Sequence, residues 1–466
     1  MRLYLLALFF ILNIILPAVA ADSKPNIIYI LADDLGWKDV GFHGGVAKTP
    51  NIDLMAKQGA RLERFYTLPY STPTRAALLT GRYPLRYGLQ MMSILPWNTY
   101  GISETERLLP EALKTAGYST AAFGEWRLGH AKKKFFPTER GFDYFFGSLN
   151  KGRKHFKSSD TKNLDWWEGE EQIDVEGYDA EIIAKSVKDY INDNANKTPF
   201  FLYISFPNPA FPFEAPEKYL QSYRDIANKN QRNYYAMVSA LDYSVGKIIE
   251  SLREQKLENN TLIIFHSDNG GAVKNKYKTG DGDVPLAVAN NGPFFNGKGS
   301  LYEGAVRVPA LAYWPSKIKP QMTNELIHVT DMYNTLLTVA GASLSSDEQV
   351  KPTDGVNAWS VISEGRLSAR KEILLNVDEF RGALISNNWK LIVYATLPAR
   401  FELFNIQDDP TEENNRSRTE PEIVKKLLRR FNDFAWEMAP SEYLKDLARP
   451  HENHAPIFWR NNPTRP

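Results

Sequence analysis

The stretch Pro25–Gly36 reads PNIIYILADDLG, an unbroken apolar run that ends in two adjacent aspartates. The run Asn26–Leu31 has the length of a β-strand, and no polar residue alternates with its apolar ones. Such a strand is expected to be buried on both faces, as strands of parallel sheets are. Asp33 and Asp34 would then lie at the carboxyl end of this strand, where open α/β sheets bind their ligands.

Similar short runs recur and alternate with stretches of helical character. The predicted strands are Ser119–Phe123, Phe200–Phe206, Leu262–Phe265 and Val308–Tyr313. The predicted helices are Leu109–Ala116, Ile182–Asn192 and Tyr234–Gln255. This alternation predicts an α/β fold, a mostly parallel sheet with helices on both faces. Asp268 and Asn269 follow the strand Leu262–Phe265. They are therefore predicted to lie at the same edge of the sheet as Asp33 and Asp34.

The pattern changes after about Leu367. Short strands separated by turns predict a small antiparallel sheet, over Glu372–Val377, Gly382–Ser386, Lys390–Tyr394 and Glu402–Ile406. A helix is predicted over Pro421–Glu437, and the tail Ala439–Pro466 is predicted to wrap over the surface. The predicted organisation is a large α/β domain at residues 21–366 and a small C-terminal α+β subdomain with its tail at residues 367–466.

Residues 1–20 are predicted to be a secretory signal peptide. Arg2 precedes the apolar run Leu3–Leu16, and Ala18–Ala20 is a small-x-small cleavage site. An uncleaved membrane anchor is the alternative, but the run is short and Pro17 follows it directly. No later stretch is apolar enough to span a bilayer, so we expect an exported protein, periplasmic or secreted, with no membrane span after signal removal.

Composition excludes several functional classes. The chain of 466 residues has 56 basic and 55 acidic side chains, which leaves no cationic excess for broad nucleic-acid binding. Cysteine is absent, which excludes disulfides, a thiolate nucleophile and cysteine-based metal sites. The hydrophobic fraction of 43% is sufficient for a large packed core.

The predicted site edge carries only hard oxygen ligands. Asp33, Asp34, Asp268 and Asn269 offer carboxylate and amide oxygens, with no sulfur or imidazole. Such a set suits Ca²⁺ or Mg²⁺ and suits softer transition metals poorly. The alternative is that the two aspartates cap a loop and that Asp268–Gly271 is an ordinary turn.

A second candidate element begins at Ser71. The stretch Ser71–Gly81 reads STPTRAALLTG, in which Pro73 and Thr74 are suited to start a helix. Ser71 is therefore predicted just before a helix N-terminus, where backbone N–H groups and the helix dipole favour an anion. Arg75, one turn into the helix, is placed to pair with that anion. Because many serines cap helices without binding a ligand, this element alone leaves both interpretations open.

Taken together, these stretches resemble the type I sulfatase family. Ser71–Gly81 is similar to its signature, Cys or Ser, x, Pro or Ala, x, Arg, x-x-Leu-x-Thr-Gly, and Pro25–Gly36 is similar to its first strand and metal-binding turn. Further similar blocks are Ser267–Gly271, Gly297–Gly304 and Glu402–Pro410, while Tyr87–Gln90 and Pro137–Asp143 look most like arylsulfatase B, the N-acetylgalactosamine-4-sulfatase type. The likeness covers essentially the whole mature chain.

The resemblance implies an alkaline-phosphatase-like fold and a Ca²⁺-dependent sulfuric ester hydrolase, with Mg²⁺ as the alternative ion. In this family a maturase oxidises the Cys or Ser to formylglycine, whose hydrate attacks the sulfur of a sulfate ester, so Ser71 would be the precursor. The resemblance implies these metal ligands: Asp33, Asp34, Ser71, Asp268 and Asn269. Arg75 would hold the formylglycine and the carboxylates, and Lys298 would bind the sulfate and the leaving oxygen.

The same resemblance implies two kinds of partner, a sulfated small molecule or glycan and a formylglycine-generating maturase. Three positions depart from the family pattern, however. The block that usually reads GKWHLG is GEWRLG at Gly124–Gly129, so Glu125 and Arg127 replace a lysine and a histidine. Arg127 is still suited to bind sulfate, but its high pKa excludes a role as a base near neutral pH. Ala210 stands where a histidine usually protonates the leaving group.

These departures keep other functions open. The alternative to a sulfatase is a degenerate relative that binds sulfated ligands with little or no turnover. A phosphatase that uses Ser71 directly is a weaker third hypothesis, because the sequence has no His/Asp cluster for a second metal. His130 and His266 are candidate replacements for the missing histidines, against the simpler interpretation that they pack outside the site. Possible sugar-stacking aromatic residues, with ordinary packing as the alternative, are Trp97, Trp166 and Trp167.

Overall fold

The computed structural model of the chain describes residues 24–150, 154–157, 165–273, 276–279, 282–285, 287–342 and 351–448. The predicted signal peptide and residues 449–466 of the predicted tail lie outside the described residues. In chain order the strands are β1 (Asn26–Ala32), β2 (Ala60–Leu62), β3 (Phe65–Tyr66), β4 (Ser119–Glu125), β5 (Tyr144–Ser148), β6 (Phe156–Lys157), β7 (Trp167–Glu168), β8 (Glu171–Gln172), β9 (Gly177–Tyr178), β10 (Phe200–Ser205), β11 (Thr261–Ser267), β12 (Lys276–Thr279), β13 (Gly282–Pro285), β14 (Ala310–Tyr313), β15 (Gln321–Thr323), β16 (Ile327–His328), β17 (Glu372–Val377), β18 (Arg381–Ser386), β19 (Trp389–Tyr394) and β20 (Arg400–Asn405). The α-helices are α1 (Pro50–Gln58), α2 (Ser71–Thr80), α3 (Leu109–Lys114), α4 (Asp179–Asn194), α5 (Glu217–Leu220), α6 (Lys229–Glu254), α7 (Glu303–Val306), α8 (Asp331–Val339), α9 (Trp359–Glu364), α10 (Pro421–Trp436) and α11 (Glu442–Leu447). Over these ranges, every helix is too short or too polar to cross a membrane.

Strand β1 lies near the centre of a sheet that has ten strands within the described residues, in the order β15-β2-β14-β11-β1-β10-β4-β5-β7-β8. The five central strands, from β11 to β5, run parallel. Alternate residues of β1 enter two separate hydrophobic clusters, one shared with α2, α3 and α8 and the other with α1, α4 and α6. Burial on both faces explains the unbroken apolar run. The predicted α/β class with a mostly parallel sheet is confirmed.

Several predicted elements differ in detail. The strand predicted at Val308–Tyr313 forms β14, which pairs antiparallel with β11, so the sheet is mixed on that side. Helix α2 begins at Ser71 itself, before Pro73, because the first turn of a helix does not need the N–H that proline lacks. Part of the predicted surface tail is helical as α11, whose Ser441 hydroxyl accepts a hydrogen bond from the Leu444 N–H at 3.4 Å.

The C-terminal part contains the predicted antiparallel sheet, ordered β17-β18-β19-β20. One face of this sheet packs on α10, through residues such as Leu427 and Phe431. The other face packs on Leu301, Ala305 and Val306, which follow shortly after Lys298 in the chain. The C-terminal sheet therefore lies against the segment that carries a predicted site residue. The division of the chain at residue 366 stays a prediction.

Candidate active site

Two parallel strands bring the predicted oxygen ligands together. Ala32 at the end of β1 is paired with Ser267 at the end of β11, so the residues that follow each strand are neighbours. The Asp34 N–H donates to Asp268 Oδ1 at 3.2 Å, and Asn269 Nδ2 donates to Asp34 Oδ1 at 2.7 Å. Carboxylate oxygens of Asp33, Asp34 and Asp268 all lie within 4.8 Å of one another.

This carboxylate cluster has the chemistry of a hard-cation site. All three acids are buried, and the amide of Asn269 adds a further oxygen. Burial and the neighbouring Asp33 raise the pKa of Asp268, while Arg75 opposes that rise. A divalent cation would relieve the repulsion between carboxylates held this close. Among the residues that the structure describes, no other three His, Cys, Asp or Glu side chains come this close together.

The N-terminus of α2 points Ser71 and Arg75 at the cluster. Ser71 is fully buried, and its Oγ lies 3.4 Å from Asn269 Oδ1. The Arg75 guanidinium donates to the Asp268 carboxylate and, at 3.0 Å, to the hydroxyl of Ser205. Burial alone would lower the pKa of Arg75, but the surrounding acids, Asp268 above all, raise it. Arg75 therefore stays charged and fixes one carboxylate of the candidate metal site.

Lys298 reaches the same cluster from a different loop. Its ammonium group donates to Asp34 Oδ1 and lies 3.8 Å from Asp33 Oδ1. Burial opposes its charged form, but the carboxylates of Asp34 and Asp33 raise its pKa above the usual value. A lysine whose charged form is favoured at this point can attract an anion that approaches the cluster.

The two residues that depart from the family pattern, Glu125 and Arg127, form an ion pair with each other. Arg127 Nε donates to Glu125 Oε2 at 2.6 Å, and its Nη2 donates to Asp33 Oδ2 at 2.6 Å. Its backbone adopts a left-handed conformation, with φ of +57°, and its carbonyl accepts from Thr72 Oγ1 at 2.8 Å. The Arg127 guanidinium therefore bridges Glu125 and Asp33, a predicted metal ligand. The predicted role of Arg127 in binding substrate stays a prediction.

The charges of the site nearly balance. Three carboxylates of the cluster and that of Glu125 face three cations, Arg75, Arg127 and Lys298. A divalent cation would change the local charge from one negative to one positive. That charge complements a singly charged anion such as a sulfate ester.

The position that lacks a histidine, Ala210, is contacted by a histidine that sequence analysis missed. His155 Nε2 donates to the Ala210 carbonyl at 2.9 Å, and Nδ1 donates to Asp179 Oδ2 at 2.7 Å. Burial opposes protonation of this ring, but Asp179 raises the pKa of His155 above its usual value. His155 and Glu125 line one small cavity. The contacts span 24 and 55 residues of chain, so no local pattern reveals them.

The other histidines named from sequence do not face the cluster. His266 is buried on β11, its Nδ1 donates to the Ser267 carbonyl at 2.7 Å, and its Nε2 accepts from the Tyr29 hydroxyl at 2.6 Å. Burial lowers the pKa of His266 to about 3 and that of His130 to about 4. His130 donates from Nε2 to the Pro96 carbonyl at 3.0 Å. Both are therefore neutral packing residues rather than replacements.

Of the three tryptophans named from sequence, Trp166 is buried in the core, Trp167 packs edge-on against Phe136, and Trp97 is 47% exposed.

Ser205 was also missed as a site residue, although its sequence position carried a signal. It is the last residue of β10, which lies beside β1, and it is a polar residue that ends an apolar run. The rule that ligands gather at the carboxyl ends of parallel strands therefore points to it.

The neutral His130 makes a pH-dependent contribution to stability. Its folded pKa of about 4 lies below the ordinary value of 6.5, so the unfolded chain binds more protons between these values. Relative to a His130→Gln variant, the wild type is expected to lose up to about 3 kcal/mol of unfolding free energy as pH falls from 6.5 to 4. Urea unfolding of both proteins across this range measures the difference. A constant difference would contradict the buried neutral state.

Comparison with known proteins supplies a family for this site. A family model described as Sulfatase matches residues 25–342, and one described as N-sulphoglucosamine sulphohydrolase, C-terminal, matches residues 293–436. Arylsulfatase J of Mus musculus is 34% identical over 480 residues, covering 91% of this chain and 78% of that protein. N-acetylgalactosamine-6-sulfatase of Homo sapiens is 35% identical over 397 residues, covering 80% of this chain and 72% of that protein.

Solved structures agree with the fold. Ps i-CgsB in complex with k-i-k-neocarrahexaose matches with a TM-score of 0.81 and 29% identity, over 94% of this chain and 97% of that chain. The PsFucS1 sulfatase from Pseudoalteromonas sp. matches with a TM-score of 0.73 and 26% identity, over 90% of this chain and 92% of that chain. The two named relatives are not called arylsulfatase B, so the predicted branch within the family stays a prediction.

Proposed function

The chain belongs to the sulfatase family of sulfuric ester hydrolases, and we propose that it cleaves sulfate esters of carbohydrates with Ca²⁺ and a formylglycine made from Ser71. One observation supports this most strongly: buried Ser71 lies at the start of α2 and contacts Asn269, beside the three-carboxylate cluster. Mg²⁺ is the alternative ion. We further propose that the protein acts outside the cytoplasm, after removal of residues 1–20.

The residues of this chain divide the chemistry among themselves. A bound Ca²⁺ would polarise the sulfate and favour the ionised form of a hydroxyl nucleophile. The residues that would hold it are Asp33, Asp34, Asp268, Asn269 and the modified Ser71. Arg75 orients Asp268, and Lys298 places positive charge where the leaving oxygen gains negative charge.

Maturation of Ser71 requires a second protein. Oxidation of its CH₂OH group to an aldehyde removes two hydrogens, which a formylglycine-generating maturase would transfer to its own electron acceptor. The hydrated aldehyde would supply two hydroxyl groups at position 71, one to serve as the nucleophile toward sulfur and one to allow release of sulfate. An unmodified serine has only one hydroxyl and would remain blocked as its sulfate ester.

The names of relatives support a carbohydrate substrate. One relative is named N-acetylgalactosamine-6-sulfatase, and one similar structure is a complex with k-i-k-neocarrahexaose. The active region of this chain has a local positive charge when a divalent cation is added, which suits an anionic sugar ester. We therefore propose a sulfated glycan or sugar as the substrate.

The departures from the family pattern favour slow turnover. Arg127 is held between Glu125 and Asp33 and cannot accept a proton near neutral pH, and Ala210 cannot protonate a leaving group. A general acid or base contributes about 10²- to 10⁴-fold to a rate. This geometry also supports a second candidate, a protein that binds sulfated glycans with little turnover.

The proposed function is tested by mass spectrometry of the peptide across Ser71, on protein purified from its own host. A loss of two hydrogens at Ser71, about 2 Da, supports maturation, and aryl sulfate turnover with Ca²⁺ supports hydrolysis. An aryl leaving group needs little protonation, so this assay does not depend on the missing acid. Unmodified serine together with binding of sulfated glycans would favour the second candidate.

Removal of the proposed cation is expected to destabilise the protein. After chelation, Ca²⁺ added at about 100 times its Kd should raise the free energy of unfolding by about 3 kcal/mol, because it binds the folded carboxylate cluster. Thermal unfolding with Ca²⁺ or Mg²⁺ measures this and identifies the preferred ion. Asp34→Asn should abolish the response, whereas Asp242→Asn, a buried acid that caps α1, should keep it. An equal response in both variants would contradict the site.

A further inference from the structure

The loop that carries Lys298 is fixed by backbone hydrogen bonds to the loop that follows Asp268 and to the segment that precedes Ser71. The Lys298 N–H donates to the Gly271 carbonyl at 3.2 Å, on the loop that follows Asp268. The Gly299 N–H donates to the Pro69 carbonyl at 2.9 Å, two residues before Ser71. The position of Lys298 is therefore tied to the loops that supply a candidate metal ligand and the candidate nucleophile.

A third contact to this loop comes from the C-terminal sheet. Arg381, the first residue of β18, donates from Nη2 to the Gly299 carbonyl at 2.7 Å. The turn before β18 holds Arg381 in place, because Asp378 Oδ1 accepts the N–H groups of Phe380 and Arg381, each at 2.9 Å. Arg381 Nε also lies 3.9 Å from Asp378 Oδ2.

Gly299 leaves the loop little room to move. Its φ of +81° lies in the left-handed region, and a Cβ at this position would lie 2.9 Å from the Tyr70 hydroxyl oxygen. The carbonyl that Arg381 holds belongs to this tightly packed residue, one peptide bond from Lys298. Arg381 therefore makes its contact at the residue directly next to Lys298.

The C-terminal sheet holds the other end of the same segment as well. Lys390 of β19 is fully buried and donates to Glu303 Oε1 at 3.1 Å, at the start of α7. Lys390 also pairs with Glu412 at 2.8 Å, and Glu412 accepts the Glu303 N–H at 2.6 Å. The segment from Gly299 to Glu303 is thus attached at both ends to the C-terminal sheet.

We propose that Arg381 is a positioning residue, which holds the Gly299 carbonyl so that the Lys298 ammonium faces Asp34 and an incoming sulfate. This inference rests on the proposed function for the role of Lys298 in the reaction. The Arg381 guanidinium contacts Gly299 and Asp378 rather than the carboxylate cluster or Ser71, so its effect passes through the loop. The C-terminal sheet thereby completes a site whose other described residues lie in the large α/β part.

The kinetic test compares Arg381→Ala with the wild type on an aryl sulfate. We expect kcat to fall about 10- to 100-fold with little change in KM, because a displaced Lys298 weakens transition-state binding most. Arg381→Lys should recover part of the loss. In a Lys298→Ala background, Arg381→Ala should cost nothing further, since the two residues act through one group. Additive losses in the double variant would overturn the proposal.

A second readout does not depend on turnover. Hydrogen exchange of the Lys298 and Gly299 amides should become faster in Arg381→Ala, because the loop loses the hydrogen bond from Arg381 to the Gly299 carbonyl. The matched control is Arg400→Ala. Tyr394 pairs across the sheet with Arg381 on one side and with Arg400 on the other, and the exposed Arg400 guanidinium lies over the Tyr394 ring. It should change neither exchange nor kcat.

The two readouts separate the possible failures. If the wild type turns over no sulfate ester, the proposed function fails, and exchange in Arg381→Ala together with its affinity for inorganic sulfate still tests the positioning. Faster exchange with weaker sulfate binding would then support it. Unchanged exchange in a folded Arg381→Ala variant, or faster exchange with an unchanged kcat, would overturn it. Arg381→Gln provides a more conservative variant if the alanine protein does not fold.

Discussion

Replacing Ser71 by alanine is expected to reduce turnover of an aryl sulfate by at least about 10³-fold, because the variant has no oxygen from which the nucleophile can be made. The side chain is fully buried, and its hydrogen bond to Asn269 is long at 3.4 Å. Alanine therefore fits the position with little loss of stability. Initial rates measured with Ca²⁺ present test the expectation.

The control for this substitution is Ser244→Ala. Ser244 is also a fully buried serine on a helix, α6, but it lies outside the candidate site. This variant should keep the wild-type rate, which separates loss of the nucleophile from loss of a buried hydroxyl group. Turnover by Ser71→Ala at a rate close to the wild type would contradict both the formylglycine and the direct-serine mechanisms.

The central sheet and the carboxylate cluster were predictable because each depends on a local pattern. The apolar run of β1 requires burial on both faces, and its length requires a strand. Parallel pairing of β1 with β11 then places Asp33 and Asp34 beside Asp268 without further information. The same reasoning, applied to β10, would also have found Ser205.

Contacts between distant parts of the chain were not predictable. The bridge from Arg127 to Asp33 and the contact of His155 with Ala210 depend on how loops from different strands pack. Sequence analysis could state that Glu125 and Arg127 depart from a pattern, but not that they pair with each other. The contact from Arg381 to Gly299 joins residues 82 positions apart, one in the C-terminal sheet and one in a loop, and no motif marks it.

The pairing of Glu125 with Arg127 sets the order in which the family residues should be restored. Glu125→Lys alone places an ammonium beside the Arg127 guanidinium and removes one of its two carboxylate partners, leaving only Asp33. Breaking a buried ion pair in this way typically costs about 3–5 kcal/mol. The single variant is therefore expected to be unstable. Glu125→Lys with Arg127→His avoids this, and histidine tolerates the left-handed backbone at position 127.

The double variant is expected to raise kcat by about 10²-fold, and Ala210→His in addition by up to a further 10²-fold, because each histidine restores one proton transfer. The larger gain should occur with an alkyl sugar sulfate, whose leaving oxygen needs a proton, and the smaller with an aryl sulfate. Glu250→Gln, at an exposed position of α6, changes the net charge by the same one unit as the double variant and should leave kcat unchanged. If the folded double and triple variants were no faster than the wild type, positions 125, 127 and 210 would not limit the reaction. The rate would then be limited by groups already present, such as Lys298, and the natural Glu125–Arg127 pair would belong to a working site rather than a degenerate one.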